Sequence, residues 1–284
     1  MVQVGPLDIG ESDVAAAFPQ ADEVELLGKG SFGTTFRVLA DEEEFALKII
    51  HLPGMPDYLW RREVEIMARI DHPNILKLRS SGIVEIQGHQ LPFLESEFVE
   101  GNNLRAKIAA GDLPSEREQL RGLLTGLLVG VGELHDLGGL HRDIKPENVI
   151  ARDDDWGRPV ILDFGLARLV DMSTHTVYPA LLGTLRYMAP EQLRLKPART
   201  RSDLFSIGVT VYEAGTGQHP FAPTGPATPR DLHDLILRSS PRPAKDLNPA
   251  AFDERTSQVV ARLMSYRAHE RLSIADALRD LEEE

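Results

Sequence analysis

The chain contains no cysteine. Disulfides, thiolate metal sites and a cysteine nucleophile are therefore excluded, and a chain without disulfides fits a reducing compartment. Positive charge is also in deficit: 31 Lys and Arg stand against 44 Asp and Glu, a formal net charge of −13. Such a chain is repelled by nucleic acid and by anionic lipid, so neither is expected as a partner. Long apolar runs are missing. The longest apolar-rich stretch, Leu120 to Leu134, is interrupted by Gly122, Thr125, Gly126 and Glu133, too short and too polar to span a bilayer. Met1 to Gly10 lacks the basic flank and apolar core of a signal peptide. These absences give a cytoplasmic expectation with no membrane span in this chain. No internal repeat or low-complexity tract occurs. What is present is an ordinary soluble composition, 42% apolar and 26% charged over 284 residues, a length that suits one large domain or two lobes sharing a cleft.

Residues 1–20 have little pattern and are expected to form an extension. From Val24 the signals become those of short strands: Glu25 to Leu27, a glycine-rich turn, then Thr34 to Leu39. Asp41 to Glu44 reads as a charged hairpin tip and Phe45 to Ile50 as a third strand. Arg61 to Ile70 has helical spacing, with Val64, Met67 and Ala68 on one face, and His72-Pro73 ends it. Residues 75–99 read as two strands around a turn at Gln87-Gly88.

After Gly101 the pattern turns helical. Ser115-Glu116-Arg117-Glu118 reads as a capping box. It precedes Leu120, Leu123, Leu124, Leu127, Leu128, Val131 and Leu134, a wide apolar stripe at helical period. Ser202 to Ala214 is apolar on nearly every side, as a central buried helix would be. Asp231 to Ser239, Phe252 to Tyr266 and Ser273 to Glu283 add further helices. The expectation is α+β: a small antiparallel-sheet lobe with one key helix over about 21–99, and a larger, mainly helical lobe over about 102–284.

Gly28-Lys29-Gly30-Ser31-Phe32-Gly33 matches GxGxxG. By itself that pattern can mark only a turn. Glycines also let backbone N–H groups approach phosphate oxygens. A dinucleotide-binding fold would open a helix here, whereas Thr34-Thr35-Phe36-Arg37-Val38 is strand-like. Lys48 closes an otherwise apolar strand segment, where an unpaired charge is costly. Either it reaches water at an edge, or it is held for an anion by a carboxylate. Glu63 supplies that carboxylate from the helix face beside Met67, and Glu65 is the competing choice on another face.

Three further segments follow in order: His141-Arg142-Asp143-Ile144-Lys145-Pro146-Glu147-Asn148; Asp163-Phe164-Gly165 after the apolar strand Val160-Ile161-Leu162; and Gly183-Thr184-Leu185-Arg186-Tyr187-Met188-Ala189-Pro190-Glu191. Each has a bland reading as a turn or surface loop. Together, in this order and spacing, they resemble the protein-kinase signature set, and the resemblance covers roughly residues 22–280. The Asp203-Leu204-Phe205-Ser206-Ile207-Gly208 stretch resembles bacterial members of the eukaryotic-like Ser/Thr kinases more than animal ones.

The resemblance implies a bilobal kinase fold using ATP and Mg²⁺. It casts Lys48 as the lysine gripping the α/β-phosphates, with Glu63 as its partner. Asp143 would accept the substrate hydroxyl's proton, and Asn148 and Asp163 would be the Mg²⁺ ligands. Lys145 would neutralise the moving γ-phosphate. The nucleotide site would be lined by Leu27, Gly28, Gly30, Ser31, Gly33, Thr35, Ala46, Ser96, Glu97, Val99 and Ile150, with Leu162 nearby. Position 35 is Thr where the family commonly has Val. Ser96 stands at the gatekeeper position, where a bulkier residue is usual. Lys145 and Thr184 fit the Ser/Thr class, so the expected partners are ATP and Ser/Thr-bearing proteins, with small-lobe dimerisation a further implication. Arg142 before Asp143 implies a loop organised by phosphate, for which Thr174 and Thr176 are the preferred autophosphorylation sites among Ser173, Thr174, Thr176 and Tyr178. Glu191 with Arg271 resembles a structural ion pair, and Asp203 the anchor of the catalytic loop. The rival readings are a non-catalytic pseudokinase scaffold, disfavoured by the full residue set, and a small-molecule phosphotransferase, disfavoured by the Gly183–Glu191 segment.

Overall fold

The architecture comes from a computed structural model that describes residues 7–30, 33–51, 57–162, 185–221 and 227–282, without the side chains of residues 57–59, 62 and 63. The described chain divides into two compact units. One holds residues up to 71 and 76–98, the other 72–75 and 99–282. The chain passes from one to the other at Phe98-Val99.

The smaller unit is one antiparallel sheet. Its strands are β1 (Glu23–Lys29), β2 (Gly33–Ala40), β3 (Glu43–Ile50), β4 (Leu78–Ile86) and β5 (His89–Glu97), in the order β1-β2-β3-β5-β4. Two hairpins close through two-residue turns whose central residues all have positive φ: Asp41 and Glu42 at 51° and 66°, Gln87 and Gly88 at 52° and 75°. These turns match the right-handed strand twist. The acidic tip is shorter than the sequence implied, because Glu43 and Glu44 already pair in β3 and Glu44 binds the Arg37 guanidinium.

Alternation along β3 sorts the two sheet faces. Phe45, Leu47 and Ile49 join Phe36, Val38, Ile86 and Leu91 on one face. That face is covered by a short helix, α1 (Glu11–Ala17), which with Ile9 buries Val14 against the sheet. Residues 9–18 are thus folded onto the sheet rather than trailing from it. The sequence hid this because the helix is only 7 residues long and two of its anchors, Ile9 and Phe18, lie outside it. On the opposite face α2 (Asp57–Met67) packs Trp60 and Val64 against Ile50, Leu78 and Leu94. This helix starts earlier than expected. At its end the bonding tightens to i→i−3 at Arg69 and Ile70.

The larger unit is mainly helical: α3 (Leu104–Ala109), α4 (Arg117–Asp136), α5 (Pro190–Leu193), α6 (Thr200–Thr216), α7 (Pro229–Arg238), α8 (Glu254–Leu263) and α9 (Ile274–Glu282), with a ribbon of β6 (Val149–Ala151) and β7 (Pro159–Ile161). The α4 stripe is almost completely buried, each of its seven apolar residues at 1% exposure or less. The expected capping box is absent. Glu116 is the N-cap and makes no side-chain cap bond, while the Ser115 N–H donates to Gln119 Oε1 at 3.0 Å. Helix α6 is buried on every side from Ser202 to Thr216. It is the axis around which the unit's core is built.

Candidate active site

In the larger unit, the loop after α4 is held from below by one carboxylate. Asp203, on the first turn of α6 and 1% exposed, accepts the backbone N–H of His141 at 3.0 Å and of Arg142 at 2.8 Å. The His135 ring nitrogen Nε2 lies 2.9 Å from the same carboxylate. Arg142 sits at φ 65°, a left-handed conformation that costs a non-glycine residue about 1–2 kcal/mol. Two charge-assisted bonds to adjacent amides offset that cost. His141 is fully buried. Its Nδ1 accepts the Asp143 N–H at 3.2 Å and its Nε2 meets the Leu162 carbonyl at 2.8 Å, so the residue entering the Asp163-Phe164-Gly165 segment is tied to the same loop.

The frame presents three polar side chains together. Lys145 Nζ lies 2.8 Å from Asp143 Oδ2. Asn148 Nδ2 donates to the Asp143 carbonyl at 2.8 Å and to Asp143 Oδ2 at 2.9 Å. Both bonds use the amide nitrogen, which turns the amide oxygen away from Asp143. That oxygen is a hard donor of the kind Mg²⁺ takes, so Asn148 fits its expected role as a ligand. Pro146 to Asn148 form a 3₁₀ turn, and the register then carries Ile150 to the ribbon side opposite the buried Val149 and Ala151. Val99 is buried in this unit. Asp163, Thr174, Thr176 and Thr184 lie outside the described residues.

The smaller unit groups the other expected residues by strand register. Lys48 of β3 stands opposite Thr35 of β2 and Leu94 of β5, and Ala46 stands opposite Ser96. Ser96 is buried and its hydroxyl donates to the Ala46 carbonyl at 3.4 Å. Lys48 falls on the face that α2 covers. Glu63 lies in α2 one turn after Trp60; its side chain is outside the described set. Leu27 is half-exposed, at a bulge between Leu26 and Gly28. Gly28, Gly30 and Gly33 follow, the turn closing through a Gly30 N–H to Gly33 carbonyl bond of 2.8 Å; Ser31 lies outside the described residues. At Gly33 a Cβ would come within 2.4 Å of the Ile49 carbonyl oxygen, so this glycine is a steric requirement of the β2–β3 pairing. Glu97 pairs with Lys77 at the start of β4, its N–H donating to the Lys77 carbonyl at 2.9 Å.

The segment entering α5 is fastened by Glu191 and Arg271. The two form a bidentate pair with both N–O distances at 2.8 Å, and the Arg271 side chain is wholly buried. Arg271 also donates to the carbonyls of Ser265, Arg201 and Tyr266 and lies over the Phe205 ring, so a buried charge is left with its donors satisfied. Burial alone would raise the Glu191 carboxyl, but the Arg271 bonds and charge, with Ser202, outweigh it and hold the group below its ordinary range.

A second network was not visible in the sequence. Arg105 on α3 donates to Glu147 at 2.9 Å and to Glu213 at 3.0 Å, and bonds the Tyr187 hydroxyl, which itself bonds Glu213. Burial and the Glu213 charge push the Tyr187 hydroxyl well above the usual tyrosine range. The network joins the catalytic loop, α6 and the segment before α5. Glu147 sits inside a legible motif, but nothing in the spacing pairs it with an arginine 42 residues earlier.

This chain belongs to the protein kinase family: the protein kinase domain profile matches residues 21–281. Among its relatives, serine/threonine-protein kinase PknL of Mycobacterium tuberculosis is 32% identical over 267 residues, covering 91% of this chain and 64% of that protein. A Corynebacterium efficiens protein named as a probable serine/threonine-protein kinase is 30% identical over 280 residues, 93% of this chain and 42% of its own length. The DNA damage-responsive serine/threonine-protein kinase RqkA of Deinococcus radiodurans is 31% identical over 261 residues, 90% and 38% respectively. The chain thus spans less than two thirds of each relative. No helix among the described residues is long and apolar enough to cross a membrane.

Proposed function

We propose that this chain is an ATP-dependent protein kinase that phosphorylates Ser and Thr hydroxyls. The observation that carries the reading is the cluster in which Lys145 and Asn148 both hydrogen-bond Asp143 Oδ2, on a loop locked to Asp203. The names of the relatives support the Ser/Thr class. Asp143 orients the incoming hydroxyl and accepts its proton as the oxygen bonds to the γ-phosphorus, the bond from that phosphorus to the β,γ-bridging oxygen breaks and ADP leaves. Lys145 sits beside Asp143 to balance the charge of the phosphoryl group in transit, and Lys48 holds the phosphates that stay behind. Mg²⁺, held by Asn148 and Asp163, would screen the phosphate oxygens from one another. Most of the rate comes from this positioning and charge balance, since the protein forms no covalent bond in the transfer. Autophosphorylation at Thr174 or Thr176 is part of the same reading, with Arg142 as the phosphate's partner.

The test uses the purified chain with radiolabelled Mg-ATP and a panel of Ser/Thr-bearing proteins, followed by phosphoamino-acid analysis and peptide mapping. Transfer to Ser or Thr should fall on the order of 10²–10³-fold in Asp143→Asn, while nucleotide affinity stays close to wild type. Transfer equal in the two proteins would remove Asp143 from its role. Nucleotide binding with no transfer in either would favour the scaffold reading.

A further inference from the structure

We propose that residues 8–17, which lie before the stretch matched by the kinase profile, brace the glycine-rich hairpin, and that Asp8 and Glu11 are positioning residues for nucleotide binding. The inference rests on the nucleotide-binding reading of that hairpin.

The brace has anchors outside the hairpin. Ile9 and Val14 are fully buried against the sheet, and Phe18 meets Phe93 edge-on at 5.3 Å. Gln87, in the β4–β5 turn, donates to the Asp8 carbonyl at 3.1 Å and to Asp13 Oδ2 at 3.2 Å. The anchored segment then reaches β1 at two points. Glu11 Oε1 accepts the Leu26 N–H at 2.9 Å, and the Asp8 carboxylate pairs with the Lys29 ammonium.

These two residues flank the position that matters most in the hairpin. β1 is an edge strand, and its register slips between Leu26 and Gly28. A bulge leaves part of the strand without ladder bonds and free to bend. Glu11 occupies the N–H immediately before the slip and Asp8 holds the side chain immediately after Gly28. Gly28, between the two contacts, has open space around it: a Cβ there would meet nothing within 4 Å. The two carboxylates therefore hold β1 on either side of the slip, at the base of the glycine-rich turn. Pre-organising a binding element in this way raises affinity by reducing the ordering cost at binding. The Asp8–Lys29 pair is exposed at 85% and 48%, so its share is small and screened by salt; Glu11, bonded to backbone, carries more.

The experiment compares wild type with an Asp8→Asn, Glu11→Gln variant of the same chain. A fluorescent ATP analogue with Mg²⁺ gives Kd, steady-state phosphotransfer gives KM and kcat, and amide hydrogen exchange reports Leu26 to Gly30. The expected result is a Kd and a KM for ATP higher by about 3–10-fold, kcat within twofold, and faster exchange confined to Leu26–Gly30. The KM effect should shrink in high salt. Exchange that rises equally in β2 and β3 would reduce the segment to a general stabiliser and overturn the inference. So would unchanged Kd and exchange in an active enzyme. The exchange result decides the brace even for a chain that transfers no phosphate, so failure of the kinase reading and failure of this inference remain separate.

Discussion

Ser96 shows how one small residue can be read once its neighbours are known. It pairs across the sheet with Ala46, and its hydroxyl returns to the Ala46 carbonyl. Under the proposed nucleotide-binding reading, a side chain longer than serine here would fill space beside the adenine. Ser96→Met should therefore raise the inhibitory concentration of a bulky C4-substituted purine analogue by about tenfold or more, the scale of overfilling a packed site, while KM for ATP moves much less. An inhibition assay with both proteins checks this, and equal inhibition would mean that this strand does not line the nucleotide. Arg271 makes the opposite kind of prediction, about stability. Removing a wholly buried guanidinium from its pair strands Glu191, so Arg271→Met should cost about 3–5 kcal/mol in denaturant unfolding. The motif residues Asp143, Lys145 and Asn148 were legible because their spacing is short and their loop is local. Their restraints by Asp203, 60 residues on, were legible only through the family resemblance, and the His135 contact with Asp203 not at all.

At the scale of elements, β-strand alternation and the α4 stripe were readable because each has a period that burial enforces. The Gln87-Gly88 hairpin was readable from its turn, whereas the first hairpin was placed correctly but its tip was read two residues too long. The failures are equally physical. Ser115 to Glu118 has the residue types of a capping box, but the helix begins one position later, because Leu120 and its successors set the register by packing and Gln119 takes the Ser115 amide instead. α1 escaped because a helix of two turns is too short to show a period. Gly33 carries the element-scale prediction. Its missing side chain lets β2 lie against the Ile49 carbonyl. Gly33→Ala should force the strands apart, costing about 1–3 kcal/mol and weakening ATP binding. Thermal unfolding and a nucleotide titration together check it, and an unchanged melting temperature would contradict the close approach.

For the whole molecule, acid should be destabilising for two separate reasons. His219 is half-buried against the Tyr187 ring, and the loss of hydration lowers its pKa from 6.5 to about 4. The unfolded chain therefore binds a proton that the folded chain refuses, and stability is lost as pH falls from about 6.5 toward 4, on the order of 3 kcal/mol. Glu191 adds a second loss lower down. Its depressed pKa means that its contribution is present above its unfolded value of 4.5 and disappears as pH falls through the folded value. Urea unfolding at pH 7 and pH 5 should show the first loss, and His219→Gln should remove most of the slope between them.

The sequence by itself determined the family, the order of the main strands and longer helices and the identity of the candidate catalytic groups, because kinase chemistry needs particular side chains in short local runs. Only the tertiary structure decided what holds those groups still. His135 against Asp203, Arg105 between Glu147 and Glu213, and the N-terminal segment against β1 are contacts between residues far apart in the chain. Such contacts leave no local period or spacing to read. They arise because buried backbone amides and buried charges must find partners wherever the packed core brings them.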